Sequence, residues 1–276
     1  MIQISALLTC FNRKETTLHC LRQLFKQSGI NQIFILKIYL VDDGSTDGTG
    51  AAILKEFPMV NLLYGTGNLY WNRGMHMAWS AASKGDNDHY LWVNDDTYLF
   101  QNTIVNLLEA SFQKNNKAII CGTTCSSSDY TKTTYGGIGL DGKFMTPDGT
   151  IQKCDHFVGN CVLIPHSVFN ILGPLDPFFH HAIGDVDYGL RAKKRGIESF
   201  ITPDFIGVCE QHDTLPTWCL AERPFNERIK SLYSPLGNSH PYYYFVFIKR
   251  HYGLFKAVKN YLTIHLRVTI PKLWND

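Results

Sequence analysis

Apolar residues dominate Ile2-Gln3-Ile4-Ser5-Ala6-Leu7-Leu8, a run that gives way to Thr9-Cys10-Phe11-Asn12-Arg13. A short apolar run bounded by polar residues predicts a buried strand followed by a loop. Leu18, Leu21, Leu24 and Phe25 then recur at helical spacing, with Gly29 as the stop signal. Ile33–Val41 predicts a second strand, closing on Asp42-Asp43-Gly44-Ser45, a turn with helix-capping residues. Val60–Tyr64 predicts a third strand, and Met75, Ala78, Trp79 and Ala82 a helix. His89–Val93 predicts a fourth strand running directly into Asn94-Asp95-Asp96, followed by a helix over Gln101–Gln113 and a strand over Ala118–Cys121.

Alternating strand and helix patterns predict an α/β fold, Rossmann-like, with a mostly parallel sheet flanked by helices. Ligands of such sheets sit at the carboxyl ends of the strands. Three of the first four predicted strands end in polar clusters, so Thr9-Asn12-Arg13, Asp42-Asp43 and Asp95-Asp96 are expected to converge. The stretch Ser126–Asp155 is rich in Gly, Thr, Ser and Asp and reads as loops and short strands. A strand over Phe157–Ile164, helices over Pro165–Leu172 and Gly184–Arg195, and strands over Ile197–Ile201 and Phe205–Cys209 complete the body.

The last segment differs. Pro241–Phe247 is dense in aromatics, and Phe255, Val258, Leu262, Leu266 and Thr269 share one helical face, with Lys256, Lys259 and Arg267 off it. That pattern is expected of an interfacial amphipathic helix. Charge sharpens the contrast: the whole chain of 276 residues carries +2, but Arg223–Asp276 carries +7 and the remainder −5. The expected organisation is a catalytic domain over residues 1–222 and a C-terminal helical, basic, aromatic extension over 223–276. The extension is expected to meet an anionic membrane surface. The acidic body argues against nucleic acid as a partner. No signal peptide is visible and no run reaches the length of a membrane span, which predicts a cytoplasmic protein, peripheral on the inner face of the cell membrane. The eight cysteines include no CxxC pair and read as buried, reduced thiols.

Two adjacent carboxylates at a strand end repel unless neutralised. Asp95-Asp96 therefore reads either as an oxygen site for Mg²⁺ or Mn²⁺ or as an acidic turn capping the next helix. A carboxylate of Asp42-Asp43 can accept a hydrogen bond from a nucleotide base or ribose, or the pair can serve the turn alone. Asp185, opening a helix, is a candidate general base, whereas Asp187 has Arg191 one turn on as a natural ion-pair partner. His212 can complete a metal site or be structural. Arg13 and Arg73 are candidates for phosphate. Glycine-rich dinucleotide and P-loop signatures are absent, which disfavours dehydrogenases and P-loop enzymes.

The stretches ALLTCFNRKETTLHCLRQL, IYLVDDGSTDGT, HYLWVNDDTYL, FVGNCVLIPHSVF and GDVDYGLRAKKRG, in this order over residues 2 to 212, resemble family 2 glycosyltransferases with the GT-A fold. They also resemble the bacterial branch of that family with rhamnosyl- and galactofuranosyltransferases. The resemblance implies a UDP- or dTDP-sugar donor, a divalent metal (Mg²⁺ or Mn²⁺) and an inverting reaction. The acceptor it implies is a glycan or polyprenyl-linked glycan of bacterial surface polysaccharide synthesis. By position, Thr9, Asn12, Arg13 and Asp43 would hold the nucleoside and Asp95 the ribose or donor sugar. Asp96 would bind the metal, Asp185 would be the catalytic base, and His212 would reach metal or diphosphate. Three departures stand out: NDD where many relatives have DxD, Gly184 where Glu is common before the base, and Tyr70-Trp71 in place of small residues. The rival readings are a nucleotidyltransferase, disfavoured because Thr9–Lys14 has no glycine, and a non-catalytic nucleotide-sugar- or carbohydrate-binding protein.

Overall fold

A computed structural model describes residues 1–211, 215–237 and 239–274. The elements run β1 (Ile2–Cys10), α1 (Lys14–Leu24), β2 (Phe34–Asp42), α2 (Thr49–Glu56), β3 (Asn61–Tyr64), α3 (Tyr70–Ala82), β4 (His89–Val93), β5 (Tyr98–Leu99) and α4 (Thr103–Gln113). They continue as β6 (Ile119–Cys125), β7 (Thr133–Tyr135), β8 (Gly137–Ile138), β9 (Gln152–Cys154), β10 (His156–Phe157), β11 (Cys161–Pro165), α5 (His166–Leu172), α6 (Gly184–Lys194) and β12 (Ser199–Val208). The C-terminal helices are α7 (Phe225–Leu232), α8 (Pro241–Tyr252) and α9 (Leu254–Thr269).

The main sheet has the order β3-β2-β1-β4-β11-β6-β12-β5. The first four strands of that order are parallel, so β1, β2 and β4 all deliver their C-terminal ends to one sheet edge. β11 runs antiparallel between β4 and β6. Strand periodicity sorts side chains between two cores. Ile4, Ala6, Leu8, Leu91 and Val93 pack with Leu18, Leu21 and Leu24 of α1 and Leu107 of α4 on one face. Leu7, Tyr90 and Trp92 pack with Met75 and Trp79 of α3 and Tyr188 of α6 on the other. This is the expected α/β, mostly parallel sheet flanked by helices.

Two strand expectations change. Ile197–Ile201 and Phe205–Cys209 form one strand, β12, because Thr202-Pro203-Asp204 interrupts only its register against β6. The run Phe157–Ile164 instead divides into β10 and β11 around Val158-Gly159-Asn160. A side chain at Gly159 would be crowded: an added Cβ would lie 3.1 Å from Asp185 Cβ and 3.2 Å from the Trp92 ring. All eight cysteines are buried free thiols.

The C-terminal helices pack on the body. Phe247 and Ile248 of α8 and Ala257 of α9 bury against Phe179 and Leu190, and Ile264 and Val268 of α9 against Trp218, Cys219 and Leu232. The aromatic run expected at an interface thus largely turns inward. No helix among the described residues is long and apolar enough to cross a membrane.

Candidate active site

The convergence expected from the strand ends is present, as two adjoining cavities. One, of about 490 Å³, is lined by Thr9, Arg13, Asp43, Tyr70, Trp71, Asp95, His181 and Leu236, among others. The second, of about 440 Å³, shares Arg13, Trp71, Asp95 and His181 and adds Asp96, Asn160, Asp185 and Glu210. Arg13 stands at the junction. Its Nη1 donates to Asp96 Oδ2 at 2.8 Å and to Asp95 Oδ1 at 3.2 Å.

The two adjacent aspartates have different surroundings. Asp95 is buried, and its second oxygen accepts from Thr17 Oγ1 at 3.1 Å. Burial drives its pKa up to about 6, with Asp96 adding to the rise and Arg13 opposing it. Asp96 is partly exposed, with a side-chain accessibility of 32%, and only its Oδ2 is engaged by Arg13. The preceding Asn94 fixes the cavity wall, accepting from Trp71 Nε1 at 2.7 Å.

Asp43 is buried, with both carboxylate oxygens held by loop backbone. It accepts from the N–H groups of Gly67, Leu69 and Tyr70 at 2.9, 2.8 and 2.9 Å. Those bonds order the loop leading into α3, where Tyr70 takes the left-handed φ of +56°. Asn12 also adopts positive φ, and its Oδ1 accepts from Thr46 N at 2.7 Å, tying the β1 and β2 loops together. Thr9 and Asp43 line the first cavity; Asn12 lines neither.

Arg73 also lies off both cavities. Its Nε donates to Pro177 O at 2.8 Å, so it braces the loop before α6 rather than facing the cavity junction. His212 lies outside the described residues.

Asp185 sits near the start of α6, on the wall of the second cavity. Its Oδ2 accepts from Gly159 N at 2.9 Å and its Oδ1 from Val186 N at 2.8 Å. Each oxygen keeps a lone pair for a ligand. Dense surrounding protein raises its pKa, and the two backbone bonds offset only part of that rise. The helix starts abruptly, because Ile183 before it takes a φ of +77°, a costly conformation for a β-branched residue.

One residue that the pattern did not single out completes the junction. His181 lines both cavities, and its Nδ1 is buried without a hydrogen-bond partner. Burial, and then the charge of Arg13, lower its pKa and favour the neutral imidazole. Its signal in the sequence was only its closeness to Asp185.

The family description Glycosyl transferase family 2 matches residues 5–172, which carry β1 through α5 and both strand-end aspartate pairs. The chain belongs to glycosyl transferase family 2. It is thus an enzyme that transfers a sugar from a nucleotide-sugar donor. No curated protein matches the sequence. Among solved structures it is similar to the mannosyltransferase PcManGT from Pyrobaculum calidifontis, in complex with GDP-Man and Mn²⁺. That match has a TM-score of 0.56 and 13% identity, covering 96% of this chain and 69% of that one. It is also similar to S. aureus TarS, with a TM-score of 0.56 and 15% identity, covering 91% of this chain and 44% of that one. At such identities the two likenesses establish the GT-A-like fold of this family 2 glycosyltransferase.

The departure at Gly184 has a steric cause. A Cβ added there would stand 1.8 Å from Asn72 Oδ1. Asn72 is itself committed, donating through Nδ2 to Asp176 O and Phe179 O at 2.7 and 2.8 Å. A divalent cation can be tested against the oxygens present. Among the described residues no group of three or more His, Cys, Asp or Glu side chains can hold a metal. Among the described residues, Asp96 alone offers a carboxylate oxygen without a hydrogen-bond partner at the cavity junction. Hard oxygen of this kind fits Mg²⁺ or Mn²⁺ of the sort that draws most of its ligands from substrate phosphates and water.

Proposed function

We propose that this family 2 glycosyltransferase is an inverting enzyme. It moves a hexosyl or deoxyhexosyl group from a UDP- or dTDP-sugar to a hydroxyl of a glycan or polyprenyl-linked glycan in bacterial surface polysaccharide synthesis. The observation that carries the reading is the arrangement of Asp185. It is a carboxylate with a raised pKa in a cavity that opens directly onto the Arg13–Asp96 junction.

In this reading the nucleoside occupies the cavity of Thr9 and Asp43, against the loop that Asp43 holds in place. The diphosphate lies at the junction, where the Arg13 guanidinium supplies fixed positive charge. Asp96 would hold Mg²⁺ or Mn²⁺ there, and the ion would offset charge on the departing nucleoside diphosphate. Asp95, buried and bonded to Thr17, sets the position of Arg13 and faces the ribose or donor sugar. Trp71 and neutral His181 form the wall between the cavities, beside the donor sugar.

The acceptor hydroxyl enters from the cavity of Asp185. Its proton passes to an Asp185 oxygen as the hydroxyl oxygen attacks the anomeric carbon, and the bond from that carbon to the diphosphate oxygen breaks. A single displacement inverts the anomeric configuration and needs no protein nucleophile. The raised pKa makes Asp185 a stronger base than an ordinary carboxylate.

The test is a panel of UDP-, dTDP- and GDP-sugars, each with and without Mn²⁺, read by thermal shift and by donor consumption. One donor class is expected to stabilise the protein in a Mn²⁺-dependent manner. Stabilisation by none of the panel, or by GDP-sugars alone, would refute the donor assignment.

A further inference from the structure

The helix α9 buries one face and leaves a second apolar face uncovered. Ala257, Ile264 and Val268 point into the body. On the other side Phe255 is 88% exposed, Leu262 63%, Leu266 52% and Val258 43%. These four recur at spacings of three and four residues and form a continuous apolar stripe. Leu254, Tyr261 and Ile270 are also exposed and widen it. A soluble helix normally turns its polar face outward, so an outward stripe of this size marks a surface that meets something apolar.

The charge around the stripe selects the partner. Lys256 and Lys259 flank it and are exposed, as are Lys230, Lys249 and Lys272 elsewhere on the extension. Glu227 is the one acidic side chain among the described residues from 223 onward, and it lies 3.8 Å from Arg223. Not all of the basic charge is outward: Arg228 is buried, and Arg250 is paired with Asp176 and Asp187. Of the exposed basic side chains, Lys256 and Lys259 border the apolar stripe, while Arg223 faces Glu227. A second copy of the chain meeting this face about a two-fold axis would set lysines against lysines. A bilayer with anionic headgroups meets both features at once: acyl chains take the stripe and phosphates take the lysines.

We propose that the outward face of α9 docks on an anionic lipid bilayer, with Phe255, Val258, Leu262 and Leu266 entering the interface and Lys256 and Lys259 at headgroup level. Helix α8, which packs on α9, is tied to the catalytic body. Arg250 and His251 of α8 both reach Asp187 of α6, at 2.9 and 2.8 Å, two residues from Asp185. The proposal stands apart from the donor and acceptor assignments, because binding is read without sugar transfer.

The experiment is co-sedimentation of the full chain with vesicles of phosphatidylglycerol and phosphatidylcholine, against vesicles of phosphatidylcholine alone, over a range of salt. The full chain is expected to bind the anionic vesicles and to release as salt rises. Phe255→Glu with Leu262→Glu is expected to abolish binding. Lys256→Glu with Lys259→Glu should weaken it about tenfold or more. All substituted positions are exposed, and unchanged circular dichroism and thermal midpoint confirm that the variants fold. Equal binding to neutral vesicles, undiminished binding by the Phe255/Leu262 variant, or no binding by the full chain would overturn the proposal. So would a dimer in solution that the Phe255/Leu262 variant converts to monomer.

Discussion

Asp185 is a carboxylate whose surroundings pull in opposite directions: enclosure favours the proton, and the N–H groups of Gly159 and Val186 favour the charge. Enclosure wins, so its pKa lies above the ordinary aspartate value. Transfer needs the deprotonated form. The acid limb of a kcat–pH profile is therefore expected to fall at a higher pH than an unperturbed aspartate would give, and to persist in Asp95→Asn. Gly184 yields a second residue-level prediction. Gly184→Ala forces its Cβ onto Asn72 Oδ1 and is expected to cost about 1–3 kcal/mol. Asn72→Ala is destabilising alone through its two lost bonds, yet in combination it removes the clash. A double-mutant cycle on thermal unfolding should show clear non-additivity. The aspartates of this site were legible in the sequence, because each ends a strand or opens a helix. The reason for Gly184 was not: Asn72 is remote in the chain and meets it only in the fold. Thr17 and Leu236 are equally silent, ordinary helix and loop residues that the fold brings to Asp95 and to the cavity wall.

At the scale of elements, hydrophobic period located β1, β2 and β4, whose ends reach the site, since burial on two faces leaves them little freedom; β7, whose Tyr135 also lines the second cavity, was not singled out within the loop-rich stretch Ser126–Asp155. The period failed where register decides. Nothing in the pattern shows that Thr202-Pro203-Asp204 bends one strand instead of ending it, or that Gly159 opens a gap beside Asp185. Periodicity also found the apolar face of α9 that the fold leaves outward. The clamp between α6 and α8 is a further element-scale feature. Asp187 accepts from Arg191 Nε at 2.9 Å, as its spacing predicted, and also from Arg250 Nη1 and His251 Nε2. Burial alone would raise its pKa, but the His251 bond and the charges of Arg191 and Arg250 outweigh it and hold it below the ordinary value. Arg250→Ala leaves that buried carboxylate one partner short and should cost about 2–3 kcal/mol, below the full cost of a lone buried charge because Arg191 and His251 remain. Calorimetry would read the loss.

For the whole molecule, the division at residue 222 marks a change in charge and composition, and helices from both sides share buried contacts. A chain ended at Glu222 would expose Phe179, Leu190, Trp218 and Cys219 and leave Asp187 with Arg191 alone. Aggregation, or unfolding at a much lower temperature, is expected; a cooperative transition at the full-chain temperature would show the extension to be independent. Stability should also carry the mark of a site built for a charged ligand. The folded-state pKa of Asp95 is about 6, above its unfolded value near 3.8, so the folded chain binds more protons between these values and loses stability as pH rises across them. Without metal or donor, Asp95→Asn is accordingly expected to raise the melting temperature at pH 8 and to change it little at pH 4. The most direct test of the proposed chemistry is Asp185→Asn, with donor binding and sugar transfer measured on the same preparation and the donor that stabilises the wild type. Donor affinity should stay within about twofold, while transfer falls by about 10²–10⁴-fold; transfer undiminished in that variant would contradict the assignment of the base.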